Sequence, residues 1–282
     1  MSLKPFKSIG IGVAYSPNLK ANIFEAARLC VFFGSKLFLI HVGEKSEDKI
    51  AMLKVILKSF EKDNLEYEVV FKTGKPVDVI LSTTEEKKID LLILGAVQRE
   101  RFLKYYVGSI ARKITRQAKC SVLLLIKPSV ERLPCEHIVV NGLKDPKTEQ
   151  TIKVAFYVAK KLKSEKITIV EEIKQDQISV KVDDDKSLRR ANIIKERIRL
   201  RENSRINEII SHIPDAYTKN KTIKLQPIFG KKGYSIGHYA QISRADLLVM
   251  NAPIKMTFWD RLFPHDIEHI LTELPTDVLI LQ

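Results

Sequence analysis

The chain is poor in the residues that staple or decorate small folds. It has 3 cysteines and 1 tryptophan in 282 residues. Cys30, Cys120 and Cys135 form no Cys-x-x-Cys pair, which excludes a zinc ribbon and a dithiol redox motif. Three scattered cysteines instead fit a reduced, cytoplasmic setting. No apolar run reaches the ~18 residues that span a bilayer. The opening Met-Ser-Leu-Lys-Pro lacks the apolar core of a secretory signal, so no membrane partner is expected. No Gly-x4-Gly-Lys-(Ser/Thr) loop occurs, which excludes a P-loop enzyme. Gly10-x-Gly12 lacks the third glycine of a dinucleotide fingerprint and lies within a strand pattern, where glycine permits close packing. Acidic residues are also short, 34 against 48 Lys and Arg, for a net charge of +14. That excess attracts anions without choosing among them. Aromatics make up 7% and do not interleave with basic residues, so no base-stacking platform and no nucleic-acid partner are expected.

What is present is a regular alternation. Residues 8–13, 36–42, 67–72, 89–94 and 122–126 are short apolar runs, with helical patterns between them. Residues 137–140, 166–170, 222–229, 245–250 and 278–281 repeat the series. Ser16-Pro17 and Asp145-Pro146 follow the first strand of each copy and predict a helix N-cap with proline at the first helical position. Short apolar strands alternating with helices mean a parallel sheet covered on both faces. The spacing predicts an α/β chain of two tandem, doubly wound, five-stranded parallel-sheet domains, residues 1–127 and 137–282. The proline-bearing segment 128–136 links them. The second copy carries an insertion. Residues 186–213 have helical period, with Leu188, Ala191, Ile194, Ile198, Ile206, Ile209 and Ile213 near one face and arginines on the other. That pattern predicts a docked helix with a solvated basic face.

One stretch carries chemistry. Residues 89–94 are a buried-strand run that ends at Gly95. A spacer rich in Arg, Lys and Tyr leads to Gly108-Ser109 and an amphipathic helix through Ile110, Ala111, Ile114 and Ala118. Glycine after a parallel strand lets backbone N–H groups approach a ligand, and the following helix N-terminus favours negative charge.

In that register the chain resembles the universal stress protein family, whose signature is Gly-x2-Gly-x9-Gly-(Ser/Thr) after the fourth strand. Here it reads Gly95, Gln98, Gly108, Ser109, with both spacings kept and the middle glycine replaced. The resemblance covers both copies and implies the adenine nucleotide alpha hydrolase-like fold. It implies that ATP or AMP lies beside the first and fourth strands. Gly95, Gln98, Gly108, Ser109 and Ile110 would then face the phosphates, and Val42 would border the adenine. The family's acid after strand one is Ala14 here, so a ribose or adenine partner is lost. The corresponding positions of the second copy are Leu143, Asn251, Ile254, Pro264 and His265, and the loop between them carries Phe258, Trp259 and Phe263. No phosphate cradle is expected there. The resemblance also implies that the last strands of the two copies meet as an internal pseudo-dimer, and a homodimer is a further expectation.

His265-Asp266-Ile267-Glu268-His269 matches the inverted zinc-protease pattern, but its helix supplies an ordinary core face through Ile267, Ile270 and Leu271. No nucleophile, base and orienter come together, so no catalytic residue and no metal ligand is expected. The expected function is a non-catalytic, cytoplasmic stress-response regulator that binds adenine nucleotide weakly in its first domain only. The rival is a nucleotide-free protein-interaction module, with both ancestral sites inactive and the basic helix engaging a partner.

Overall fold

The structure is a computed structural model and describes residues 5–98, 105–178, 180–230, 234–252 and 266–282. Contacts divide it into two compact units. One runs to Pro134 and also takes in Leu271–Gln282; the other is Cys135–Ile270.

In chain order the first part holds β1 (Ser8–Val13), α1 (Leu19–Phe33), β2 (Lys36–Val42), α2 (Glu47–Leu57), β3 (Tyr67–Lys72), α3 (Pro76–Glu86) and β4 (Leu91–Gly95). The short strands β5 (Val97–Gln98) and β6 (Tyr105–Tyr106) follow, then α4 (Ser109–Gln117) and β7 (Ser121–Leu125). The remainder holds β8 (His137–Asn141), α5 (Thr148–Leu162), β9 (Lys166–Ile173), α6 (Asp185–Ser211), α7 (Asp215–Thr218), β10 (Thr222–Phe229), α8 (Tyr234–Ile242), β11 (Leu247–Asn251), α9 (Asp266–Thr272) and β12 (Asp277–Leu281).

The first unit's sheet has the order β3-β2-β1-β4-β7-β12. Its first five strands are parallel, and β12 is antiparallel to β7, with Val278 opposite Leu124 and Ile280 opposite Val122. The central strands are buried on both faces, which is why they read as continuous apolar runs rather than alternating ones. Gly10 in β1 serves that packing: a Cβ there would stand 2.7 Å from Ile89 Cδ1. Cys30 of α1 is core, and burial pushes its thiol well above the usual range. The second unit repeats the arrangement as β10-β9-β8-β11, all parallel where paired.

Both first helices begin later than the Ser-Pro and Asp-Pro pairs predict. α1 is capped at Asn18 and α5 at Lys147. Ser16 and Asp145 close a turn instead: Ser16 O accepts the Leu19 N–H at 3.0 Å, and Asp145 Oδ1 accepts the Lys147 N–H at 2.8 Å. α6 starts from a reciprocal capping box between Asp184 and Ser187. Ala191, Ile198 and Ile206 are buried along it, whereas Leu188 is exposed.

Candidate functional site

In the first unit β2 lies on one side of β1 and β4 on the other. The chain therefore leaves β1 and β4 in opposite directions, and their carboxyl ends frame a crevice. Gly95 closes β4, and the Ala96 N–H donates to Leu125 O at 2.7 Å. The spacer then folds back as a hairpin, with Val97 opposite Tyr106 and Gln98 opposite Tyr105. Position 98 is thus extended strand, so Gln98 replaces a glycine at no backbone cost. Arg99, Arg101 and Lys104 lie outside the described residues.

Val107 is buried and its N–H donates to Leu271 O at 3.1 Å, which sets the entry into α4. Gly108 is the N-cap, at φ −59° and ψ 162°, and no side chain caps the helix. Ser109 and Ile110 are exposed. No acid stands in the first turn of α4. Its orphan N–H groups therefore face outward with the positive end of the helix dipole. Backbone conformation does not demand glycine at 108, nor do neighbouring atoms at 95. Gly108 has dihedrals that any residue adopts, and a Cβ on Gly95 would meet Asn22 Oδ1 at an ordinary 3.5 Å. The carboxamide oxygen of Asn22 is buried there without a hydrogen-bond partner among the described residues.

The other end of the crevice was not legible in the sequence. Ala14 is exposed at the end of β1, and half-buried Val42 pairs with Lys72. Between them stands buried His41. Its Nδ1 lies 3.0 Å from Val13 O, and its Nε2 lies 3.2 Å from Lys49 Nζ. A carbonyl only accepts, so Nδ1 donates its N–H to Val13 O. The Tyr15 ring meets His41 edge-on at 5.0 Å, and Lys49 Nζ lies 5.6 Å from the Tyr15 centroid. Burial pushes the Tyr15 phenol up. These three side chains come from a loop, a strand and a helix, and no spacing rule connects them.

The second unit holds a different cluster at the matching place. Ser8 pairs with Lys36 and His137 with Lys166, so Glu171 occupies in β9 the position of His41 in β2. Glu171 is buried, and neither carboxylate oxygen has a hydrogen-bond partner among the described residues. Arg205 of α6 donates from Nη2 to Gly142 O at 2.5 Å and from Nε to Glu202 Oε2 at 2.9 Å. The same Nη2 stands 3.8 Å from Glu171. Burial pushes the Glu171 carboxyl up to about 7, against the pull of Arg205. Burial acts on Glu202 in the same sense, but hydrogen bonds from Arg205 and Arg201 outweigh it and hold that carboxyl below its usual range. A helix arginine thus sits at the carboxyl ends of β8 and β9. Leu143, in the place of the family's acid, donates its N–H to Asn141 Oδ1 at 3.0 Å, and Asn251 ends β11. Ile254, Phe258, Trp259, Phe263, Pro264 and His265 lie outside the described residues. Among the described residues no cluster of His, Cys, Asp and Glu has the makings of a metal site.

Comparison with known proteins bears on the first unit most directly. Residues 5–125 match the model of the universal stress protein family. A universal stress protein of Methanocaldococcus jannaschii is 29% identical over 79 residues, 28% of this chain and 46% of the relative. One from Methanothermobacter thermautotrophicus is 28% identical over 65 residues, 23% of this chain and 44% of the relative. The chain thus spans about half the length of these curated relatives. A solved universal stress protein from Archaeoglobus fulgidus superposes with a TM-score of 0.67 at 16% identity, covering 98% of each chain. A Pseudomonas aeruginosa structure described as a universal stress protein gives 0.73 at 15% identity, covering 98% of this chain and 93% of that one. At such identity the structural likeness speaks for the α/β fold alone.

Proposed function

From a chain whose residues 5–125 belong to the universal stress protein family, we propose a cytoplasmic, non-catalytic stress-response regulator that binds adenine nucleotide weakly, in its first domain only. On this reading residues 1–127 form the nucleotide-competent domain and residues 137–282 a silent one. The observation that carries it is the bare backbone at Gly95 and Gly108 beside the uncapped start of α4. Gly95 is not required by its neighbours, nor Gly108 by its dihedrals, so the close approach of a phosphate accounts for their use. Ser109 and Ile110 would flank the phosphates, with Gln98 offering an amide in place of the lost glycine, and Val42 would border the base. Ala14 removes one acceptor, which costs about 1–3 kcal/mol, or one to two orders of magnitude in affinity. His41, whose two ring nitrogens are committed to Val13 and Lys49, supports binding rather than turnover. In the second unit Arg205 and Glu171 take the room of a nucleoside.

Calorimetry of the purified protein with ATP and magnesium, AMP and a cyclic nucleotide tests the reading. Dissociation constants between micromolar and millimolar are expected for at least one of them, abolished by Gly108→Glu, which sets a carboxylate at the anion site. Absence of heat at millimolar nucleotide would sink the proposal. It would leave the interaction module, which one observation favours: Ile193 and Leu200 are exposed on α6 beside Arg189, Arg190 and Arg197.

A further inference from the structure

The loop that carries Gly108 does not hold itself in place. Its hairpin pairs only Val97–Gln98 with Tyr105–Tyr106. A lone hairpin of two-residue strands is too short to be stable in water. No side chain caps α4, and Ser109 and Ile110 are exposed. Support comes from the far end of the chain, within the same unit. Leu274 forms an antiparallel bridge with Tyr105, and its N–H donates to Tyr105 O at 3.0 Å. Leu271 O accepts two donors, the Val107 N–H at 3.1 Å and Arg112 Nη2 at 3.1 Å. Val107, Leu271 and Leu274 are all buried.

The sequence explains why that carbonyl is available. Leu271 lies in the last turn of α9, where its helical partner would be the N–H of residue 275. Residue 275 is proline, which has no N–H to give. The carbonyl end of a helix also favours a cation, and Arg112 supplies one. Arg112 acts from both ends. Its backbone N–H donates to Gly108 O at 2.8 Å, while its guanidinium reaches Leu271 across 159 residues of sequence. Gly108 is thus bracketed. Val107 before it is bonded to Leu271, and its own carbonyl is bonded to the residue that grips Leu271. A glycine without those bonds has wide backbone freedom, and the N–H groups after it lose a fixed direction. Resting on the nucleotide reading above, we propose that the phosphate side of the first unit's site is assembled by Leu271–Leu274, with Arg112 as its positioning residue. Nucleotide binding and docking of that segment are then coupled, and each strengthens the other by the same factor. The motif residues all precede position 127, yet the site they form is complete only with residues beyond 270. Any partner that draws Leu271–Leu274 away lowers nucleotide affinity.

Two measurements on the full chain test this. The first needs no ligand and follows amide hydrogen exchange residue by residue in the parent, Arg112→Met and Arg112→Lys. Arg112→Met should speed exchange at Val107 and Leu274 by about tenfold, with Ile11 and Leu92 in the central strands unchanged. Arg112→Lys keeps the charge and should restore most of the protection. The second is calorimetry with AMP and with ATP and magnesium. Arg112→Met should bind about tenfold more weakly than the parent, and Arg112→Lys should recover most of that loss. Saturating nucleotide should in turn slow exchange at Leu274 in the parent, a response that a merely structural arginine does not produce. Unchanged exchange at Val107 and Leu274 in Arg112→Met overturns the inference. So does parent-like affinity in that variant, which leaves the nucleotide site standing. If neither variant folds, a parent whose Leu274 gains no protection from bound nucleotide still overturns the coupling. A parent that binds neither nucleotide overturns the nucleotide reading itself, and the inference with it.

Discussion

Glu171 is a carboxyl that the fold keeps from water without giving it a hydrogen bond. Raised from 4.5 to about 7, it holds its proton more tightly in the folded chain than in the unfolded one. Its contribution to stability is therefore complete below about pH 4.5 and is lost as pH climbs through 7. Glu171→Gln keeps the shape and removes the charge. Urea unfolding from pH 5 to 8 should show the variant gaining on the parent as pH rises, by about 1–3 kcal/mol at pH 8. A variant less stable than the parent at pH 8 would mean that the ionised carboxylate is held favourably by Arg205. At this scale the sequence hid more than it showed. Gly95, Gly108, Ser109 and Ala14 could be read because the family pattern fixes their spacing. Lys49 and Arg205 could not, because each reaches its strand end from a helix whose rotation only packing decides.

Elements were easier to read than sites. The buried strands announced themselves as apolar runs, and the strands at 67–72 and 222–229 fall where the alternation put them. The spacer before Gly108 did not read as a hairpin, because its pairing joins two-residue strands with no hydrophobic period. The helix starts were misplaced because Ser-Pro and Asp-Pro serve a turn as well as they serve a cap. The apolar edge of β7 is where an element matters most to solubility. β12 covers it, aided by the Ile126 N–H donating to Asp277 Oδ1 at 2.8 Å. A chain ending at Pro275 would leave β7 as an unpaired apolar edge. It should elute as concentration-dependent oligomers in size exclusion, where the full chain gives a sharp peak. A monomeric, equally stable truncation would show that β7 needs no cover.

At the scale of the whole molecule the net charge of +14 acts on every anionic ligand alike. Nucleotide affinity should fall several-fold as ionic strength rises from about 50 mM to 500 mM, because the screening length shrinks from above 10 Å to about 4 Å. Titrations across that range check it, and a salt-independent constant would confine the attraction to close contacts such as the start of α4.

The pairing of β7 with β12 also sets an order of assembly. The contact between Ile126 and Asp277 spans 151 residues, so the sheet of the first unit is completed by a segment made well after its other strands. At roughly 5–20 residues per second, synthesis leaves a window of about eight to thirty seconds in which β7 has emerged and its neighbour has not. The unit that leaves the ribosome first is thus the last to be sealed. Throughout that interval its exposed edge is the part of the nascent chain most in need of a chaperone.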